Sequence, residues 1–229
     1  MQGKVKLTKR QVKEDKFTTF MLTSKDKLQS EFEEKWQYYV IGLVVVVVVV
    51  WAGVWYFENR ITQASDAAEA FSNAMLQYQS GNDQVAILEF TQVLETYGGT
   101  DYAARSAFIL GNLNLSNRSY SEAARCYQMY LDDFTGTTLN RAACYAGLAA
   151  VQEDQADYAG AAANFLKAID ALPDGPLEPD YELGAIRNYL AAGDSEQARA
   201  RLAILEEKHA GSEWTNRASL MIAEKSQTD

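Results

Sequence analysis

Side chains that do chemistry are scarce in this chain. Its 229 residues include one histidine, two cysteines and three prolines. A Ser-His-Asp or Cys-His arrangement would have to be built around His209, in the last turn of a predicted helix with no nucleophile motif nearby. There is no phosphate-binding loop, no dinucleotide-binding glycine pattern and no cluster with metal-ligand spacing. No catalytic residue, cofactor or metal is therefore expected. Basic residues are also few beyond the N-terminal segment. Residues 1–35 hold nine Lys/Arg and six Asp/Glu, so with an overall charge of −10 the remainder carries −13. That excludes a nucleic-acid partner, because phosphate contacts need clustered cations.

The prolines all fall in "LPDGPLEP", at Pro173, Pro176 and Pro179, so a bend is expected there. Cys126 lies nine residues before Thr135 and Cys144 nine after it. Two antiparallel helices joined near "FTGTT" would hold them at the same height. In an oxidising compartment a disulfide is then geometrically possible. The alternative is a pair of small, reduced core residues.

What the chain does have is one long apolar run. Residues 36–57, "WQYYVIGLVVVVVVVWAGVWYF", are 22 in a row without a charge. Valine favours strands, but a soluble strand needs only ~5–6 residues. As a helix the run spans about 33 Å, enough for the hydrocarbon core of a bilayer. In lipid the backbone must satisfy its own hydrogen bonds, so a helix is required. Trp36, Tyr38 and Tyr39 at one end and Trp51, Trp55 and Tyr56 at the other resemble an aromatic belt. The run is too long, and begins too late, for a cleaved signal. Its flanks set the direction: the eighteen residues after Phe57 carry only Arg60 as a base. The expectation is a cytoplasmic basic segment (1–35), an uncleaved signal anchor in contact with membrane lipid (36–57) and an exported domain (58–229).

That domain repeats. "GNDQVAILEFTQVLETY", "RSYSEAARCYQMYLDDF" and "ADYAGAAANFLKAIDALP" align on Ala86, Ala123 and Ala161, and "AAGDSEQARARLAILEEKH" follows on Ala198; the spacings are 37, 38 and 37. Four residues after the first three alanines stand Phe90, Tyr127 and Phe165; twelve before them stand Ala74, Gly111 and Ala149. Small residues on both helices of a hairpin let backbones approach closely, and the aromatic fills the space to the next hairpin. Turn signals ("YGGT", "FTGTT", "LPDGPLEP", "HAGS") separate the copies, and "EWTNRASLMIAEK" reads as a final amphipathic cap. The pattern resembles the tetratricopeptide repeat over residues 66–225, with spacings slightly above the family's ~34 residues. It implies an all-α chain: one N-terminal transmembrane helix, then an α-solenoid of about four hairpins and a C-terminal capping helix.

By the same resemblance, the first helix of each hairpin lines an inner, protein-binding face. Here that face includes Phe71, Met75, Tyr78, Phe108, Asn112, Leu115 and Arg187. It is mostly apolar, suited to exposed hydrophobic segments of unfolded or part-assembled proteins. The layout as a whole resembles the bacterial ancillary subunit of the SecYEG translocon. That resemblance implies an inner-membrane, single-pass module with its C-terminal domain in the periplasm. Its partners would be the translocon, a membrane-anchored chaperone and newly exported polypeptides. "ETYGGTDYAARSAFILG" also resembles outer-membrane assembly and envelope-coordination repeat proteins. The alternative function is thus an envelope scaffold that tethers cell-wall, outer-membrane-assembly or division proteins.

Overall fold

The computed structural model describes the backbone of residues 9–228 and the side chains of residues 36–227. The side chains of the expected basic segment, 1–35, lie outside the described residues. Two compact units are present, Met1–Arg60 and Ile61–Asp229. Among the described residues every regular element is helical: α1 (Lys9–Gln79), α2 (Asp83–Thr96), α3 (Asp101–Ser116), α4 (Tyr120–Asp133), α5 (Thr138–Asp154), α6 (Tyr158–Ala171), α7 (Glu178–Ala191), α8 (Ser195–Lys208) and α9 (Glu213–Thr228).

In the first unit the side chains from Trp36 to Arg60 are exposed at every position except Gly53. So much uncovered apolar surface is unstable in water and at home in lipid, and α1 is long and apolar enough for a single membrane span. The sequence reading ended the apolar helix at Phe57. In the structure α1 continues to Gln79, because no glycine or proline interrupts residues 54–80 and the stretch is rich in alanine.

The second unit begins with the last turns of α1. They form the first hairpin with α2, where the Phe71 and Phe90 rings lie 5.5 Å apart. The pairs α3–α4, α5–α6 and α7–α8 follow, each packed on the next, and α9 closes the array against α7 and α8. The four alanines of the repeat, Ala86, Ala123, Ala161 and Ala198, are all fully buried. Side chains larger than a methyl would hold the paired helices apart at these points.

The helices stop where they do for a repeated reason. Five residues before each alanine the chain enters the left-handed region, at Gly81 (φ 76°), Arg118 (φ 59°), Ala156 (φ 58°) and Gly193 (φ 83°). The next residue's N–H then bonds five residues back: Asn82 to Gln77, Ser119 to Asn114, Asp157 to Gln152 and Asp194 to Tyr189. This closes the preceding helix with a Schellman motif. Asp157 and Asp194 then cap the following helix, accepting from the Gly160 and Gln197 N–H groups at 3.0 Å each. One turn therefore both ends a helix and starts the next. A left-handed conformation costs a residue with a Cβ about 1–2 kcal/mol, offset in part by the greater freedom of unfolded glycine. Ala156→Gly is expected to raise stability by about 0.5 kcal/mol, and Gly193→Ala to lower it by about 1 kcal/mol, in urea unfolding of the detergent-solubilised chain.

Candidate protein-binding face

The face expected to bind protein rests on aromatic joints between hairpins. Tyr127 of α4 is 1% exposed and stands between Gly111 of α3 and Gly147 of α5. A Cβ on Gly111 would come within 2.5 Å of the Tyr127 ring, and one on Gly147 within 2.4 Å. Phe165 repeats the arrangement one hairpin later, where a Cβ on Gly184 would meet its ring at 2.8 Å. The Tyr127 hydroxyl leaves the core and donates to the Asn112 Oδ1 at 2.8 Å. Gly147→Ala is expected to cost about 1–3 kcal/mol, read by thermal melting, since neither the ring nor either backbone can move aside.

The seven residues named from the sequence divide into two groups. Phe71, Met75, Phe108 and Leu115 are half-buried and pack against the first core cluster. Phe71 lies 5.5 Å from the Tyr102 ring as well as from Phe90, and Phe108 leans on Tyr130 at 6.0 Å. Tyr78, Asn112 and Arg187 are exposed. Phe71 and Met75 line a cleft of about 380 Å³ with Leu76 and Tyr102. Arg187 lines a separate cleft of similar volume near the C-terminus, with Leu190 and Met221. Tyr78, Phe108, Asn112 and Leu115 line neither.

Two polar residues join Arg187 that sequence reading did not name. Glu153, on α5, accepts from Arg187 and from the buried Asn188, at 2.5 Å in each case. Asn188 also donates to the Gly184 carbonyl at 2.8 Å. This clip ties the third hairpin to the fourth across 34 residues of sequence. Only spacing by one repeat could have suggested it.

The fourth hairpin carries two buried carboxylates, each paired with a cation of α8. Glu182, on α7, is buried and takes a two-pronged contact from the Arg201 guanidinium on α8. Burial pushes its carboxyl above the usual carboxylate range, against the opposing pull of Arg201. One turn earlier, buried Glu178 accepts from Lys208 at 2.6 Å and from the Asp174 N–H at 2.6 Å. Removing one partner of such a pair strands a buried charge.

Cys126 and Cys144 are both buried and stand as free thiols in this structure. Burial raises both thiols, that of Cys144 to about 12. A thiol with so little thiolate is a poor nucleophile at neutral pH. Ellman's reagent is therefore expected to find no reactive thiol in the folded chain and two per chain in denaturant without reductant.

Against known families, the model of the tetratricopeptide repeat-like domain matches residues 31–172, more than half of the chain. The chain belongs to the tetratricopeptide repeat-like domain family. Among solved structures it is similar to the nearly identical TPR-like repeats of a putative kinesin light chain from Podosopora anserina. The match has a TM-score of 0.54 at 16% identity, over 72% of this chain and 86% of that one. A second crystal structure of those repeats matches at the same TM-score and identity, over 87% of its own length. At this identity the likeness concerns the fold. No curated protein matches. Repeats of this family are protein-interaction modules in general, and no strand interrupts the helical array among the described residues.

Proposed function

We propose that the chain is a membrane-anchored protein-binding module that receives apolar stretches of newly exported polypeptides beside the SecYEG translocon, together with a membrane-anchored chaperone. Its basic segment lies in the cytoplasm and its repeat domain in the periplasm, following the charge asymmetry about the span. The observation that carries this reading is the first hairpin. It has a cleft of about 380 Å³ walled by Phe71, Met75, Leu76 and Tyr102. Leu76 is 58% exposed and Tyr78, one turn of helix beyond Met75, 41%. Aromatic rings and a methionine give adaptable apolar contact without a fixed hydrogen-bond pattern, as an acceptor of varied sequences requires. The net negative charge of the chain beyond residue 35 keeps such a module averse to nucleic acid.

The test places a photo-crosslinking amino acid at Tyr78 of the full-length protein in living cells. Phe108 is a poorer position, since it is half-buried against Tyr130. Adducts with the translocon, an envelope chaperone or pulse-labelled exported chains are expected. Substituting Leu76→Asp in the same chain should cut their yield about tenfold while leaving the melting temperature within a few degrees, because Leu76 lines the cleft and is 58% exposed. Adducts confined to a cell-wall, outer-membrane-assembly or division protein would replace this reading with that of an envelope scaffold.

A further inference from the structure

The loops joining the first hairpin to the second and the second to the third enclose a cavity of about 350 Å³. It involves none of the residues of the face described above. Its walls bring together Asp101 and Arg105 of α3, Tyr130 and Asp133 of α4, and Phe134 and Gly136 of the loop that follows. The volume lies in the range of small-molecule sites.

The decisive group is Tyr130. Its side chain is 1% exposed, with the ring locked between Phe108 at 6.0 Å and Phe134 at 6.4 Å. A buried tyrosine normally finds a partner for its hydroxyl. Here the hydroxyl has no protein partner among the described residues yet is not sealed from solvent, so it opens on the cavity, whereas that of Tyr127 is paired with Asn112. It points at Gly136 on the cavity wall, where an added Cβ would fall 1.8 Å from the oxygen. A side chain at position 136 would force the ring or the loop to shift.

Charge and hydrogen-bonding capacity narrow the ligand. The N-terminal ends of α3 and α5 meet the cavity loops beside the C-terminal ends of α2 and α4, so the helix dipoles cancel in pairs. Asp101 and Asp133 then outnumber Arg105, and the wall is unsuited to a phosphate or carboxylate. The carboxylates accept, Arg105 donates, and the Tyr130 hydroxyl does either. A ligand dense in hydroxyl groups, each a donor and an acceptor at once, satisfies both sets. The half-buried Phe134 ring offers a flat apolar surface for the C–H face of such a ligand. We infer that this cavity is a binding site for a neutral saccharide, hexose or N-acetylhexosamine.

The test is saturation-transfer NMR on the full-length protein in detergent micelles, with glucose, galactose, mannose, N-acetylglucosamine and its β-1,4-linked dimer as probes at millimolar concentration. At least one is expected to show transfer that saturates with concentration. Tyr130→Phe removes one oxygen and keeps the packing, so the fold should melt at or above the original temperature. The dissociation constant should rise about fivefold with that variant, and by a similar factor with Asp133→Asn. Phe71→Ala, on the face described earlier, should leave sugar binding unchanged. No transfer from any probe, or transfer that neither cavity variant weakens, overturns the assignment.

Discussion

Where hairpins meet, two helix backbones give up their side chains to admit one ring. Tyr127 sits in a notch whose sides are Gly111 and Gly147, and Phe165 sits against Gly184 in the next joint. Burying such a ring removes apolar surface worth about 3 kcal/mol, and the notch fixes where along each helix that burial can occur. A shift of one residue would replace a glycine by Asn112 or Leu148, and the ring would collide. The joint thus sets spacing and register together. Cys126, Cys144 and Ala142 then fill the small gaps around the aromatic residues, all at 0–1% exposure. Their burial follows from the joint, as does the inertness of the thiols.

The fourth hairpin departs from this scheme, and its departure is chemical. Leu202 occupies the place where the three earlier copies carry Phe90, Tyr127 and Phe165, so less ring surface joins α8 to its neighbours. Two ion pairs stand in: Glu182 with Arg201 and Glu178 with Lys208. Pairs built on a buried carboxylate add little net stability, because desolvation consumes most of the attraction, but loss of the cation leaves that carboxylate uncompensated. Together with the Glu153–Arg187–Asn188 clip they specify which hairpin packs last in the array. Trp214 of α9 adds to this, donating to Asp180 at 2.9 Å.

Sequence made the lattice of hairpins legible because it is written in residue size. Alanines at 37- and 38-residue spacing, with aromatics four places on, can be matched without any structure. The left-handed turn inside each hairpin was hidden, since two of its four positions hold Arg118 and Ala156 in place of glycine. Gly147 and Gly184 were hidden too, because each belongs by sequence to one copy and by contact to the ring of the copy before. The candidate face was legible only in outline. A residue on the edge of a helix can turn toward the core, and Phe71, Phe108 and Leu115 pack against it. Pairing of Glu153 with Arg187 depends on side-chain direction across a hairpin joint, which spacing alone cannot supply.

The two ends of the array are built differently, and this bears on what each can do. At the C-terminal end α9 covers the last hairpin, with Ala218 fully buried and Ile222 nearly so against the Leu190 and Leu205 cluster. At the N-terminal end Val85 and Leu88 of α2 are 43% and 70% exposed, and Leu76 of α1 is 58% exposed. A repeat stack is stable only when each apolar face meets a neighbour or a polar cap. There the rings of Phe71, Phe90 and Tyr102 join the first hairpin to α3. Phe71 and Tyr102 also wall the cleft of the first hairpin, with Met75 and Leu76. Internal aromatic packing leaves the outer helix surface free of structural duty, so Leu76 and Leu88 need not be covered for the hairpin to hold. The constraint that keeps the joint closed is thus the same one that leaves the hairpin's surface available to a partner.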